Sequence, residues 1–361
     1  YITTQQFMMN SKINVLITGA GGGGSLGREI MKALLHSKNN YNIFVTNSSV
    51  LSLALFETKN SFVIPNASSP EYTKKLISIC KTNKIDVVIG GSEPEIQVLA
   101  DNSAIFTENN IQVISNPSNI IKICSDKLEL INYLSSKSIK CPKTYSFDIK
   151  LADKIDTFPL IIKPRKGSGS RNVFLCHDKE EVLFFGNYLK KYGHEPIFQE
   201  HIGNHSEEYT IGVLYADQGK LSVSIAMKRV LEGSLSTRQI STSPYSGKKF
   251  VVSSDVSQGY FNNFPDLCRF GEKIAKIINA DGPINIQCRK DEDGQILVFE
   301  INPRFSGSVA SRSLIGHNEP DILIQYKLNN VIPEINKSIP GYVMKDFNEK
   351  FISFSDVQKK S

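Results

Sequence analysis

The chemistry in this chain is concentrated in one stretch, PINIQCRKDEDGQILVFEINPR, residues 283 to 304. Asp293-Gly294 is a turn signal, because both residues accept the left-handed dihedrals of a tight hairpin. That turn places Glu292 opposite Gln295, Gln287 opposite Glu300 and Asn285 opposite Asn302. Strand side chains alternate sides, so Ile284, Ile286, Cys288, Leu297, Phe299 and Ile301 share an apolar face. The other face gathers one carboxylate and three carboxamides, and only Val298 interrupts it. Oxygen donors of this kind suit a hard cation such as Mg²⁺ that keeps several waters. Arg304, two residues past Asn302, points the same way and can hold an oxyanion by a bidentate fork.

A second stretch, FPLIIKPRKGSGSRNVFLC, carries phosphate chemistry. Alternation in PLIIKP turns Lys163 away from the face of Ile162, and the following loop, with Gly167, Ser168 and Gly169, offers backbone N–H groups to phosphate oxygens. Further on, LSVSIAMKRV alternates before Lys228 and Arg229. These two, with Arg238, are the basic candidates to neutralise a carboxylate substrate or its acyl phosphate.

NIQ…VFEINPRFSGS resembles the metal-binding end of the ATP-grasp superfamily, most of all the branch with the carbamoyl-phosphate synthetase large subunit and biotin carboxylase. The motifs keep the family's order over roughly residues 12 to 330. The resemblance implies that Gln287, Glu300 and Asn302 hold two Mg²⁺ ions against the phosphates of ATP, with Mn²⁺ an acceptable substitute, and that Arg304 stands beside the reactive phosphoryl group. It implies that Lys163 and the 167–169 loop contact phosphate, and that Lys127, in SDK, is directed at the nucleotide. In PIFQEHIGNHSEEYTIGVLY it implies adenine recognition by the backbone of Glu200 and Ile202, and a ribose-binding carboxylate at Glu208. Glu207 is expected to face solvent, and His201 and His205 to be surface residues.

These groups need a scaffold. INVLITGAGG reads as a strand running into glycines, GREIMKALLHS as a helix, NIFVTN as a strand, and YTKKLISICKTN, IDVVIGGSEPE, EIQVLADNSAIFTENN and IQVIS continue the alternation to Asn116-Pro117. That pattern predicts a doubly wound parallel sheet. Gly19, Gly21 and Gly24 satisfy a dinucleotide fingerprint, but FVTNSS has no acid near Thr46 or Asn47 to hold a ribose, which counts against a nicotinamide oxidoreductase. Those glycines suit close strand–helix packing and an anion at the helix N-terminus, and the resemblance gives this loop to the second substrate. Ser92, Glu93 and Glu95 read as a solvated loop at the sheet rim. Residues 118 to 140 read as a helix breaking near Ser125 and Asp126, and LCRFGEKIAKIINA as an amphipathic one.

The expected fold is therefore α/β and α+β. A Rossmann-like pre-ATP-grasp domain spans 1–117, a small ATP-grasp subdomain with a linker helix and mobile lid spans 118–200, a large subdomain with the metal site spans 201–330, and 331–361 is a C-terminal extension that folds back or stays loose. At 361 residues and 40% hydrophobic content the chain is long enough for several cores. The 42 basic and 36 acidic residues are dispersed, and the net +6 reads as a bias toward small anions rather than nucleic acid. Six cysteines without a CxxC or CxxH pair disfavour zinc and fit a reducing, cytoplasmic setting. No run approaches a membrane span, and YITTQQFMMN lacks a signal peptide's charged start and apolar centre, so Met8 or Met9 is the expected natural start.

The expected activity is ATP-dependent ligation of a small-molecule carboxylate to an amine or thiol through an acyl phosphate, releasing ADP and phosphate, by a chain for which a homodimer is open. Carboxyphosphate chemistry of the carbamoyl-phosphate synthetase type and non-catalytic nucleotide binding are the other readings. The first needs, in the family, two such halves and an ammonia supply.

Overall fold

A computed structural model describes residues 12–152, 155–167, 169, 171–203, 205–231, 239–247, 249–253, 258–335, 339–346 and 350–360. Met8, Met9, Ser168 and Arg238 lie outside the described residues.

Strands β1 (Ile13–Ile17), β2 (Tyr41–Asn47), β3 (Ser61–Val63), β4 (Val87–Ile89) and β5 (Gln112–Ile114) form a parallel sheet in the order β3-β2-β1-β4-β5. β1 and β4 are short apolar runs because helices cover both faces of the sheet, and Val15, Leu16, Ile17, Val87 and Val88 are fully buried. The order reverses between β1 and β4, which is where such sheets bind ligands. The glycine segment after β1 leads there into the helix Leu26–Leu35. Close strand–helix packing falls to Gly27 and Gly91, since a Cβ on Gly91 would meet the Gly27 Cα at 2.7 Å. The stretch read as one helix from Glu95 is two, Glu93–Asp101 and Ser103–Glu108, interrupted at Asn102.

β6 (Thr144–Ser146), β7 (Leu160–Pro164), β8 (Phe174–Cys176) and β9 (Pro196–Glu200) form a four-stranded antiparallel sheet in the order β6-β9-β7-β8. Its core joins Leu160, Ile162 and Phe198 to Val182 and Leu189 of the helix Lys179–Lys191.

The largest sheet contains β10 (Glu208–Ala216) and β11 (Leu221–Arg229), then β14 (Gly259–Phe261), β15 (Gly282–Lys290), β16 (Ile296–Asn302) and β17 (Gly341–Val343), ordered β16-β15-β10-β11-β14-β17. Between them β12 (Gln239–Thr242) and β13 (Lys249–Ser253) make a separate ribbon. The helix breaks at 125–126 as expected: Ser118–Ser125 and Lys127–Ser136 are two helices, and Asp126 caps the second by accepting from the Glu129 N–H at 3.1 Å. Both pack on the largest sheet, with Ile120, Leu130 and Leu134 in the core of Ile211, Val213, Ile284 and Ile286. The C-terminal extension folds back, as β17 pairs with β14.

The hairpin of residues 283–304 differs from the expected register at its turn. Asp291 N donates to the Gln295 carbonyl and Gly294 N to the Asp291 carbonyl, so the loop is three residues, Glu292-Asp293-Gly294, with Gly294 at φ +75°. Cys288 therefore pairs with Val298, one residue out of the expected phase. A β-bulge between Gln287 and Cys288 on this ladder restores it, and Gln287 faces Glu300 while Asn285 faces Asn302, as the sequence implied. The shifted register overturns three expected faces, and Leu297 is the first: it lies opposite Arg289 while Ile296 packs against the core. Val298 is fully buried in the core, and Phe299 faces the cleft instead.

Candidate active site

One cavity of about 990 Å³ opens where the three sheets meet. That volume is at the upper end for small-molecule pockets, room for a nucleotide and a second substrate together. Strand alternation on β15 turns Asn285, Gln287 and Arg289 to this cavity, and the bulged end of β16 adds Phe299 and Glu300. Arg304, Ser306 and Gly307 continue the same wall. The four-stranded sheet and its approach supply Lys127, Ile161, Lys163, Gly167 and Gly169, and the segment 199–202 supplies Gln199, Glu200, His201 and Ile202. The parallel sheet closes the far end with Gly19, Gly24, Ser25, Ser92 and Glu93.

Lys163 is buried and donates to Gln199 Oε1 at 2.8 Å, while Gln199 donates onward to the Thr144 hydroxyl at 2.8 Å. Burial, with the nearby Lys127 charge, pushes the Lys163 ammonium down to about 8, and Glu300 opposes the fall. Lys127 donates to the Gly167 carbonyl at 2.5 Å, tying the helix start to the Gly/Ser loop. A neighbouring pair, Arg165 and Asp126 at 2.7 Å, fixes the same junction.

Glu208 lies 4% exposed in the cavity wall and receives Arg229 on Oε1 at 2.6 Å and Arg289 on Oε2 at 2.8 and 2.9 Å. Burial favours its neutral form, but the Arg289 and Arg229 guanidiniums outweigh it and hold the carboxyl below the usual range. Arg289 also donates to His201 Nε2 at 3.0 Å and to the Ile202 carbonyl at 3.3 Å. His201 is therefore a cavity residue and not a surface one. Its ring also meets Phe250 of the ribbon, with centroids 5.1 Å apart.

Other expectations need correction. Lys228 turns out of the cavity to Glu207 at 2.5 Å, because it is adjacent to Arg229 on β11 and strand neighbours face opposite ways. Glu207, expected in solvent, is held there by Lys228 and the Tyr209 hydroxyl at 2.7 Å. Glu95 is no solvated loop residue: it is 6% exposed and accepts from Ser92 at 2.6 Å and from Tyr72 at 3.1 Å. Burial raises its pKa, against the hydrogen bonds it accepts. Asn302 stands one step behind the wall, bridging Glu300 by Nδ2 at 3.1 Å and Arg304 by Oδ1 at 3.1 Å. Arg304 also reaches Glu93 at 3.4 Å.

Arg289, Gln199 and Arg171 line the cavity without having been singled out, and Arg229, read as a candidate for a substrate carboxylate, is instead paired with Glu208. For Arg289 the signal was present, since it continues the alternation of Asn285 and Gln287. Asn285 presents a donor, not a ligand oxygen: its Oδ1 accepts from Arg312 at 3.0 Å and from Thr210 at 2.6 Å, and an arginine can only donate. Among the described residues no group of three His, Cys, Asp or Glu could hold a metal by itself. The Gln287–Glu300 pair fits Mg²⁺ in the way that ion is usually held, by one carboxylate with substrate phosphates and water. No described helix is long and apolar enough to cross a membrane.

Two family models match the chain: the PylC-like N-terminal domain over residues 15–114, and the ATP-grasp of the biosynthetic pathway with the Ter operon over residues 199–349. A D-alanine–D-alanine ligase of Fusobacterium nucleatum is 37% identical over 92 residues, 26% of this chain and 29% of that one. A carbamoyl-phosphate synthase of Methanobrevibacter smithii is 23% identical over 283 residues, 75% of this chain and 70% of that one. The chain thus spans well under half of the first relative's length. A biotin carboxylase structure from Campylobacter jejuni shares the fold at a TM-score of 0.65 and 15% identity, covering 90% of this chain and 72% of that one.

Proposed function

Since this chain belongs to the ATP-grasp superfamily, with a PylC-like N-terminal domain ahead of its ATP-grasp half, we propose that it is an ATP-dependent ligase joining a small-molecule carboxylate to an amine. The observation that carries this reading is the convergence of Lys127, Lys163, Gln287, Glu300 and Arg304 on one cavity from separate elements. Basic groups at one wall and an oxygen-donor pair at the other suit a polyphosphate, and no covalent nucleophile is required.

In this reading ATP lies between the two antiparallel sheets. The backbone of Glu200 and Ile202 reads the adenine edge, with Ile161 and Phe299 as apolar wall. Glu208, held ionised by its two arginines, accepts from a ribose hydroxyl on the lone pair that Oε1 keeps. Lys163, Lys127 and the N–H groups of the Gly/Ser loop bind phosphate oxygens. Two Mg²⁺ ions held through Gln287 and Glu300 would offset charge on the β and γ phosphates, with Asn302, whose Oδ1 is taken by Arg304, positioning Glu300 from behind. A carboxylate oxygen attacks the γ phosphorus, the bond to the ADP oxygen breaks, and Arg304 and Lys163 stabilise the transferred group. The amine nitrogen then attacks the acyl carbon, phosphate leaves, and the amine proton passes to phosphate or solvent. The second substrate enters from the side of Gly19, Ser25 and Glu93.

The test is turnover of Mg-ATP against a panel of amino acids, amines, thiols and bicarbonate, with nucleotides separated by chromatography. ADP and phosphate in equal amounts, with an amide product, support the ligase. Stoichiometric AMP and pyrophosphate overturn the phosphoryl-transfer mechanism, and stimulation by bicarbonate alone points to carboxyphosphate formation.

A further inference from the structure

The segment after Asn330 carries none of the chemistry above, yet it meets the molecule at a specific place. β17 docks on β14 with Tyr342 opposite Tyr260, and three residues past Tyr342 Lys345 turns inward. Its Nζ donates to Glu29 Oε2 at 2.6 Å and to the Gly307 carbonyl at 2.6 Å. The side chains are 17% and 3% exposed, so the pair is shielded from solvent. Glu29 belongs to the helix Leu26–Leu35, whose first residue and preceding glycines line the cavity. Gly307, three residues past Arg304, lines it as part of the segment that follows β16, while Lys345 is not a lining residue. One ammonium therefore joins a wall from the parallel sheet's helix to a wall from the largest sheet.

We propose that Lys345 is a positioning residue for the end of the cavity that takes the second substrate. By holding Glu29 and the Gly307 carbonyl together it sets the spacing between the glycine loop and the 304–307 segment. It also turns the Gly307 carbonyl out of the cavity. That orientation matters because a carbonyl dipole aimed inward would oppose an anion beside Arg304, so the end so arranged suits a carboxylate or its acyl phosphate. A buried ammonium is costly unless partnered, and Glu29 and the carbonyl supply both partners. Burial lowers the Lys345 pKa from its ordinary value and Glu29 opposes that, while Lys32, 3.3 Å from the other Glu29 oxygen, shares the same carboxylate. The assignment rests on the ligase reading for its catalytic consequence, but the contact itself can be tested without it.

Lys345→Met, Lys345→Arg and Glu29→Gln are compared with the unaltered chain for MgADP affinity, ATP turnover with the best substrate of the panel, melting temperature and amide hydrogen exchange. Lys345→Met should keep MgADP affinity within about twofold and lower turnover at least tenfold. Exchange should rise at 303–309 but not at 160–202. Lys345→Arg should recover most of the loss, since a guanidinium can span a carboxylate and a carbonyl. Wild-type turnover in Lys345→Met, or unchanged exchange at 303–309, overturns the proposal. So does parallel loss of turnover, MgADP affinity and melting temperature with no recovery by arginine, which marks a merely structural pair. If Lys345→Met does not fold, Glu29→Gln decides by the same readouts. An unaltered chain that binds no MgADP strikes the ligase reading, and the exchange data still decide the role of Lys345.

Discussion

Gly212 and Arg312 compete for the same space: a Cβ on Gly212 would lie 1.9 Å from Arg312 Nη1 and 2.1 Å from Glu319 Oε1. The bare β10 backbone thus admits a fully buried ion pair, Arg312 to Glu319 at 3.0 Å, whose other arm orients Asn285 toward the cavity. Gly212→Ala must separate that pair inside the protein. Breaking a buried pair typically costs about 3–5 kcal/mol, and chemical denaturation of the variant should show a loss of that size. A loss under about 1 kcal/mol would mean the pair is not held as described.

Glu300→Gln should leave the fold and melting curve close to those of the unaltered chain but slow Mg²⁺-dependent ATP turnover by about two to three orders of magnitude, the usual cost of removing a main electrostatic stabiliser. Turnover near normal, with unchanged dependence on Mg²⁺ concentration, would falsify the metal assignment.

Lys163 gives a pH signature. With its pKa depressed to about 8 by burial and by Lys127, it is charged below that value and neutral above it. Bound phosphate favours the charged form, so nucleotide binding near pH 8.5 should take up a proton, and affinity should weaken as pH rises through 8. Calorimetry of MgADP binding in buffers of different ionisation enthalpy measures the uptake. Lys163→Met should abolish it, and equal uptake in that variant would assign the proton elsewhere.

Phe299→Ala should weaken MgADP binding by about 1–3 kcal/mol, the range for loss of an aromatic platform under a base. Because the bulge turns Phe299 from the core, the variant should melt within a few degrees of the parent. A large drop in melting temperature with unchanged affinity would return Phe299 to the core reading.

Alternation made the Gln287–Glu300 and Asn285–Asn302 pairs of the 283–304 hairpin legible, because these residues lie close in sequence and on a two-residue period, while the pairs nearer the turn were misread. The alternation of helix and strand from Ile13 to Ile114 was legible from local periodicity, apart from the edge strand Ser61–Val63, which is too short to show a period. Contacts between segments distant in sequence were not. Nothing local to Glu208 announces that Arg229 and Arg289, 21 and 81 residues away, pair with it. Nor does anything near Glu95 announce Tyr72 beneath it. The bulge was hidden because its only trace was Val298, an apolar residue in a polar phase, which alternation alone records as an exception.

The bulge and the three-residue turn of that hairpin are equal and opposite slips. The turn moves the ladder by one residue and the bulge moves it back, so the outer half of the hairpin and the half that carries Gln287 and Glu300 keep independent phases. The strand behaves as two segments joined by a joint that absorbs offset. A further change of one residue at Glu292–Gly294 would be taken up before it reached Gln287 and Glu300, leaving loop length at the tip free to vary under constraints unrelated to chemistry.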